Sequence, residues 1–485
     1  MNFKMMGRFS AQIVAIEAAF MVPALLISLG YGEWTAVKAF AITLGIMLAL
    51  AGLFYTICRR AEKVFGAREG LVCVALSWVV MSLLGALPFV LSGQVTSYID
   101  ALFEIISGFT TTGASVIADV EGLYKGLLYW RSFSHWIGGM GVLVFLLAIL
   151  PSGGGSGFTM HLLRAESPGP DVGKLVPKMR QTAMILYVIY IVLTIVNVIF
   201  LLFGGMHWLY ALCTAFGTAG TGGFGVFNDS LMSSSPYIQN VTTVFMFLFG
   251  INFSCYYLLL LGKLRSVLKD EELRLYIGLA VACVIGLVLS IRPIYDTLEE
   301  AIRHAAFQVS SLMTTTGYTT TDYDLWPSFA KAILLLLMLV GACAGSTGGG
   351  LKCIRLLLLF KVLRRNIRQI LNPRKVLVVR NNDKVVDEKV LANTNAYFAA
   401  YVIILVLCTM ILSLDPQNFS LETNLSASIA TFNNIGPGMA AVGPTCNFAA
   451  YSVLSKLTMC VSMLAGRLEI FPILILFSRS TWSRK

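Results

Sequence analysis

Between Ala11 and Phe477 the chain returns repeatedly to apolar stretches of about twenty residues, the length a helix needs to cross roughly 30 Å of hydrocarbon. They run over Ala11 to Leu29, Lys38 to Ile57, Leu71 to Leu91, Leu128 to Leu150, Met184 to Phe203, Tyr237 to Leu261, Leu275 to Ile291, Ala330 to Phe360, Ala396 to Leu414 and Tyr451 to Phe477. Lipid offers no partner to a backbone N–H or C=O group, so each stretch predicts a helix, about ten in all. Composition agrees: 57% of the 485 residues are hydrophobic and 13% charged, with a mean hydropathy of +0.78. The expected fold class is an all-α polytopic membrane protein.

The first stretch follows Lys4 and Arg8 and has no small-residue cleavage site, which indicates a retained helix and a cytoplasmic N-terminus. Alternation from there places Arg59 to Arg68, Arg164 to Arg180, Lys263 to Arg274, Lys352 to Lys389 and the tail from Arg479 in the cytoplasm. With Lys4 and Arg8 these segments hold 28 of the 36 Lys and Arg residues, the asymmetry that the positive-inside rule demands. Topology thus accounts for the net charge of +11, and basic residues dispersed among short loops argue against a nucleic-acid surface. The ten cysteines form no CxxC pair and suit packing. His135, His161, His207 and His304 lack the spacing of metal ligands.

One order of elements occurs four times: a spanning helix, a short amphipathic stretch, a Gly/Thr/Asn-rich segment and a second spanning helix. The register marks are SGFTTTGASV (Ser107 to Val116), FGTAGTGGFGV (Phe216 to Val226), SLMTTTGYTTT (Ser311 to Thr321) and ATFNNIGPGMA (Ala430 to Ala440). Phe103 and Phe307 both lie ten residues before the glycine of the first and third marks, and Ser107 and Ser311 lie six before it. The preceding stretches, Tyr98 to Phe109, His207 to Phe216, Thr297 to Met313 and Ser420 to Phe432, are too short or too polar to cross. They predict helices that enter partway and return, all four on the extracellular side.

Irregular backbone at membrane depth is tolerated only against protein or a water-filled cavity, so the four segments must meet at a shared interior. The short helices would turn their C-terminal ends, each carrying about half a negative charge, toward it, which favours a cation. Glycine permits the dihedrals that aim successive carbonyls at one axis, where they can replace the hydration shell of a potassium ion. Thr-Thr-Gly-Tyr is built like the Thr-Val-Gly-Tyr-Gly segment of potassium channels.

With these marks, the chain closely resembles the TrkH/TrkG/KtrB superfamily of potassium uptake proteins over nearly its whole length. Two helices before the four repeats place it nearest the TrkH/TrkG branch, and RAESPGP (Arg164 to Pro170), GACAGSTGGGLK (Gly341 to Lys352) and GRLEIFP (Gly466 to Pro472) add to the likeness. The resemblance implies two N-terminal helices in 1–66, then helix–pore-helix–filter–helix repeats in 67–160, 161–266, 267–366 and 367–485, around a central pore. It implies one selectivity-filter strand per repeat. The residues carried over are Thr111, Thr112 and Gly113; Gly220, Thr221, Gly222 and Gly223; Thr315, Thr316 and Gly317; and Asn434, Ile435 and Gly436. In the second repeat Gly222 could serve as the register glycine in place of Gly223. The fourth strand has no threonine and puts Pro437 after its glycine, so four-fold equivalence is approximate. Some relatives carry serine at the first-repeat glycine and admit sodium more readily; Gly113 favours potassium.

The stretch Ala330 to Phe360 is interrupted by Gly341 to Gly350, whose five glycines each cost a helix about 1 kcal/mol relative to alanine. An intramembrane loop is expected. The resemblance implies that it is a movable gate below the filter, made by Gly341, Gly345, Ser346, Thr347, Gly348, Gly349 and Gly350. Arg467 is expected near the middle of a long apolar helix, where a charge needs a partner or water. The resemblance places it in the ion path beneath the filter. Arg364 to Lys389 combines a basic helix end with a small hairpin around Asn381 to Asp383. The resemblance implies a cytoplasmic TrkA-type nucleotide-binding ring docking there, and a homodimer in the bacterial cytoplasmic membrane. The chain has neither GxGxxG after a strand nor GxxxxGK[ST], so no bound cofactor is expected, only potassium as the transported ion.

An ion-coupled alternating-access potassium symporter is the alternative class, but such proteins are usually built from inverted repeats, whereas these four run in parallel. An enzyme is not expected, because Asp100, Glu104, His135 and Glu422 share no catalytic spacing.

Overall fold

The computed structural model describes residues 3–59, 67–141 and 179–482. The RAESPGP motif, most of Arg164 to Arg180, much of Arg59 to Arg68 and the end of Leu128 to Leu150 lie outside the described residues. Among those described, six helices are long and apolar enough to cross a membrane: Phe3–Gly30, Trp34–Ile57, Glu69–Leu91, Ala183–Phe203, Glu271–Ile294 and Glu388–Leu412. The first two pack on each other, and each of the other four opens one repeat. Their outer faces carry exposed apolar side chains such as Phe203 and Leu289, as a lipid-facing surface requires.

The four short helices form where expected: Tyr98–Phe109, Trp208–Gly220, Leu298–Met313 and Leu421–Phe432. Each starts on a residue whose side chain accepts an otherwise unpaired amide: Ser97, His207, Thr297 and Ser420.

The second helices of the second and fourth repeats are broken where continuous spans are expected, that of the first ends early, and that of the third is interrupted at the expected glycine loop. Lys125–Gly139 stops at Met140; Pro236–Phe249 turns through 88° into Phe253–Leu260; Ser328–Val340 and Cys353–Leu371 flank the glycine loop; and Val453–Arg467 ends before Phe471–Phe477. Glu469 and Ile470 have left-handed φ of 59° and 66° at the last break. Hydropathy cannot register these interruptions, because the backbone leaves the helix while its surroundings stay apolar.

Each second helix packs against the short helix of the next repeat: Lys125–Gly139 on Trp208–Gly220, Pro236–Phe249 on Leu298–Met313, Ser328–Val340 on Leu421–Phe432, and Val453–Arg467 back on Tyr98–Phe109. The fourth contact closes the series, so the repeats form a ring.

Candidate functional site

Each short helix leads into a strand with one backbone pattern. The first residue of the pattern is left-handed without being glycine: Thr111 at φ 56°, Thr221 at 53°, Thr315 at 60° and Asn434 at 57°. The next amide donates five residues back into the helix end: Thr112 to Ser107 at 2.8 Å, Gly222 to Gly217 at 2.8 Å, Thr316 to Ser311 at 2.8 Å and Ile435 to Ala430 at 2.9 Å. A left-handed glycine follows, Gly113 at 81°, Gly223 at 71°, Gly317 at 85° and Gly436 at 105°. The shared pattern puts Gly223 in register in the second repeat, with Gly222 in the place of Thr112 and Thr316. A left-handed β-branched residue costs about 1–2 kcal/mol, so three threonines hold that conformation because the five-residue hydrogen bonds and the packing around them impose it.

The strands meet glycine to carbonyl. A Cβ built on Gly113 would stand 1.9 Å from the Gly222 oxygen, on Gly223 1.8 Å from that of Thr316, on Gly317 1.9 Å from that of Ile435, and on Gly436 2.8 Å from that of Thr112. Each contact runs to the next repeat and the last returns to the first, so these four carbonyls lie around one axis. All four glycines line one cavity of about 140 Å³ on the side where the short helices begin, together with Cys446 from the loop after the fourth strand. Below it, the short-helix C-termini and the carbonyls present partial negative charge and no carboxylate, an arrangement suited to a desolvated monovalent cation.

Charged side chains brace the ring from behind. Glu104 and Arg131, both buried, pair at 2.5 Å; Glu104 also accepts the Val116 amide at 3.0 Å, and Arg131 donates to the Gly225 carbonyl at 2.9 Å. The pair thereby fixes the chain just beyond the first and second glycines. His135 joins the same two repeats, its Nδ1 2.8 Å from the Gly108 carbonyl and its Nε2 accepting the Phe224 amide at 3.3 Å; it is therefore neutral with the proton on Nδ1. Above the ring, the Asn228 side-chain amide donates to Asp119 at 3.1 Å and holds that carboxyl below the ordinary carboxylate range.

The loop Gly341–Gly350 lies directly under the third and fourth strands. The Gly349 amide donates to the Thr315 hydroxyl at 2.6 Å, and a Cβ on Gly349 would stand 2.3 Å from the Asn433 carbonyl oxygen. The break in the second repeat supports it, with the Cys343 amide donating to the Gly250 carbonyl at 3.1 Å and the Phe253 amide to that of Gly345 at 3.0 Å. Lys352 turns back to donate to the Gly348 carbonyl.

Arg467 is the last residue of its helix, not its midpoint as expected. It donates to the Thr347 carbonyl at 2.8 Å and to those of Gly139, at 2.8 Å, and Gly138. One guanidinium therefore joins the loop to the broken second helices of the fourth and first repeats. Two residues on, Glu469 pairs with Arg355, which stacks 3.8 Å from the Tyr397 ring centroid. Among the described residues no group of His, Cys, Asp and Glu side chains suits a metal ion.

Arg131 and Glu272, which holds the loop ends, were not singled out from sequence. An arginine inside an apolar stretch was the available signal for the first.

A family model described as TrkH, cation transport protein, matches residues 36–484. The Trk system potassium uptake protein TrkH of Salmonella typhimurium is 35% identical over 99% of this chain and 100% of its own length. TrkG of Escherichia coli, also named a Trk system potassium uptake protein, is 32% identical over 97% of this chain and 96% of its own. The crystal structure of the potassium transporter TrkH from Vibrio parahaemolyticus superposes over 100% of both chains with a TM-score of 0.89 at 31% identity. The chain belongs to the TrkH family of cation transport proteins.

Proposed function

We propose that the chain is a potassium uptake protein whose pore runs through the ring formed by Thr112, Gly222, Thr316 and Ile435. The observation that carries this reading is the closed series of glycine-to-carbonyl contacts, which sets four backbone oxygens around one axis. Thr111, Thr221, Thr315, Asn434 and the four register glycines complete the filter. Gly341–Gly350 and Arg467 form the barrier beneath it: the loop covers the inner end of the third and fourth strands, and the guanidinium repels cations. A potential of 100 mV is worth about 2.3 kcal/mol per charge, which suffices to accumulate potassium without a second ion.

The positive-inside pattern puts the N-terminus and the hairpin Arg380–Val385 in the cytoplasm, and the cavity lined by Cys446 outside, in a bacterial inner membrane. By resemblance the chain works as a homodimer, and a TrkA-type ring docks on the basic helix end Arg364–Arg368 and the hairpin. The exposed Ile367, Ile370, Leu371 and Val376 beside those arginines suit such a contact.

Rubidium flux into proteoliposomes under an imposed potential tests this reading. Potential-driven rubidium flux, with sodium excluded and no proton gradient required, is the expected result. Flux that appears only with an imposed proton or sodium gradient would overturn it in favour of coupled symport.

A further inference from the structure

Glu272 is the second residue of the helix Glu271–Ile291 and is 7% exposed. One of its carboxylate oxygens accepts the Ala344 amide at 2.6 Å and the Ile354 amide at 3.1 Å. These residues bracket Gly345–Cys353, so a single oxygen holds both ends of the loop. Both bonds fall on one carboxyl oxygen, so losing that oxygen frees the two loop ends together.

The cytoplasmic hairpin is fastened to the same helix start. Its turn residues Asn382 and Asp383 are left-handed, with φ of 47° and 64°. Asn382 accepts the Glu271 amide on Oδ1 at 2.9 Å and donates from Nδ2 to Asp270 at 2.8 Å. Lys361, on the helix that leaves the loop, pairs with Glu271 and donates to the Arg380 carbonyl at 2.7 Å. Val379 completes the attachment, sharing an apolar cluster with Ala344, Ile354, Leu358 and Val362. Hairpin, helix start and loop end are thus one bonded unit.

We propose that Glu272 is the positioning residue of the gate loop and that the hairpin is its handle. Drawing the hairpin away from the helix start strips Asn382 from Asp270 and Glu271 and pulls Val379 from beside Ala344. Glu272 then loses its hold on both loop ends, and the loop is free to leave Thr315. This inference rests on the reading of Gly341–Gly350 as a gate.

The test is rubidium flux into proteoliposomes of the full chain and four variants: Glu272→Ala, Asn382→Ala, the two combined, and excision of residues 345–349. Glu272→Ala and Asn382→Ala are each expected to raise flux about tenfold, the scale of one lost hydrogen bond, without changing the rubidium-to-sodium ratio. The combined variant is expected to exceed neither single one, because both act through one attachment. A gain in flux with selectivity kept cannot come from misfolding, and Asn382 is exposed, so its variant reports even if Glu272→Ala fails to assemble. If excision raises flux and neither point variant does, Glu272 does not position the gate, although the gate reading stands. If excision leaves flux unchanged, the gate reading falls and the inference with it. Multiplying effects in the combined variant would show that the hairpin acts elsewhere and overturn its part.

Discussion

Asn434 donates from its side-chain amide to the Thr112 hydroxyl at 3.0 Å and to the Met463 carbonyl at 2.9 Å. The fourth strand, Asn433 to Gly438, contains no threonine, and this amide ties it to the first strand and to its own second helix. At the strand itself, this side chain joins the least regular repeat to the first. Asn434→Leu keeps the volume and removes both bonds, each worth about 0.5–1.5 kcal/mol. The rubidium-to-sodium flux ratio is expected to fall about tenfold while the protein stays assembled.

Gly223→Ala is expected to abolish flux. The added methyl would stand 1.8 Å from the Thr316 oxygen, on backbone that cannot retreat without opening the ring, and in a left-handed residue besides. Gly278→Ala supplies the contrast, since nothing lies within 4 Å of its Cβ. There alanine should preserve flux and stabilise the helix by about 0.5–1 kcal/mol, read as a raised unfolding temperature in detergent.

Arg131→Met leaves the Glu104 carboxylate buried without its partner, which costs about 3–5 kcal/mol. A large fall in unfolding temperature is expected. Adding Glu104→Gln removes the stranded charge and should recover a substantial part of that loss, and a double-mutant cycle measures the coupling directly.

Arg467→Ala removes the positive charge beneath the strands and the tether on Thr347 together. Flux should rise. Arg467→Lys, which keeps the charge but cannot span the Thr347, Gly138 and Gly139 carbonyls at once, should give an intermediate rise. Single-channel or liposome flux measurements distinguish the three.

Of the ten cysteines only Cys446 is exposed, and it lines the cavity above the four glycines. A membrane-impermeant cationic thiol reagent added outside should block flux, and Cys446→Ser should remove the block. Reaction from the cytoplasmic side alone would reverse the proposed orientation.

The short helices were legible in the sequence because a polar capping residue, an apolar face and a glycine-rich stop occur in each within a few residues. The break in the third repeat's second helix was legible from the glycines of Gly341–Gly350, but the ends and breaks of the other second helices were not. Gly138, in the last turn before its helix stops at Met140, lies so close to the short helix that a Cβ there would meet the Phe109 carbonyl oxygen at 1.8 Å, and Arg467, at the end of its helix, reaches carbonyls more than a hundred residues away. Such causes lie between elements, while hydropathy reports only that both sides of a break are apolar. The Gly222 and Gly223 ambiguity likewise needed backbone geometry, since Thr221 had to be seen in the left-handed region beside Thr111, Thr315 and Asn434. Glu272 could not be recognised from its position at a helix start, where acidic residues are ordinary.

The central claim is that the carbonyls of Thr112, Gly222, Thr316 and Ile435 bind the transported ion. Anomalous scattering from crystals of the protein grown in rubidium or thallium tests it most directly. The account predicts density on the ring axis within direct coordination distance of those four oxygens, lost when sodium replaces the heavier ion. Density confined to the broken second helices, with none among the four carbonyls, would contradict it.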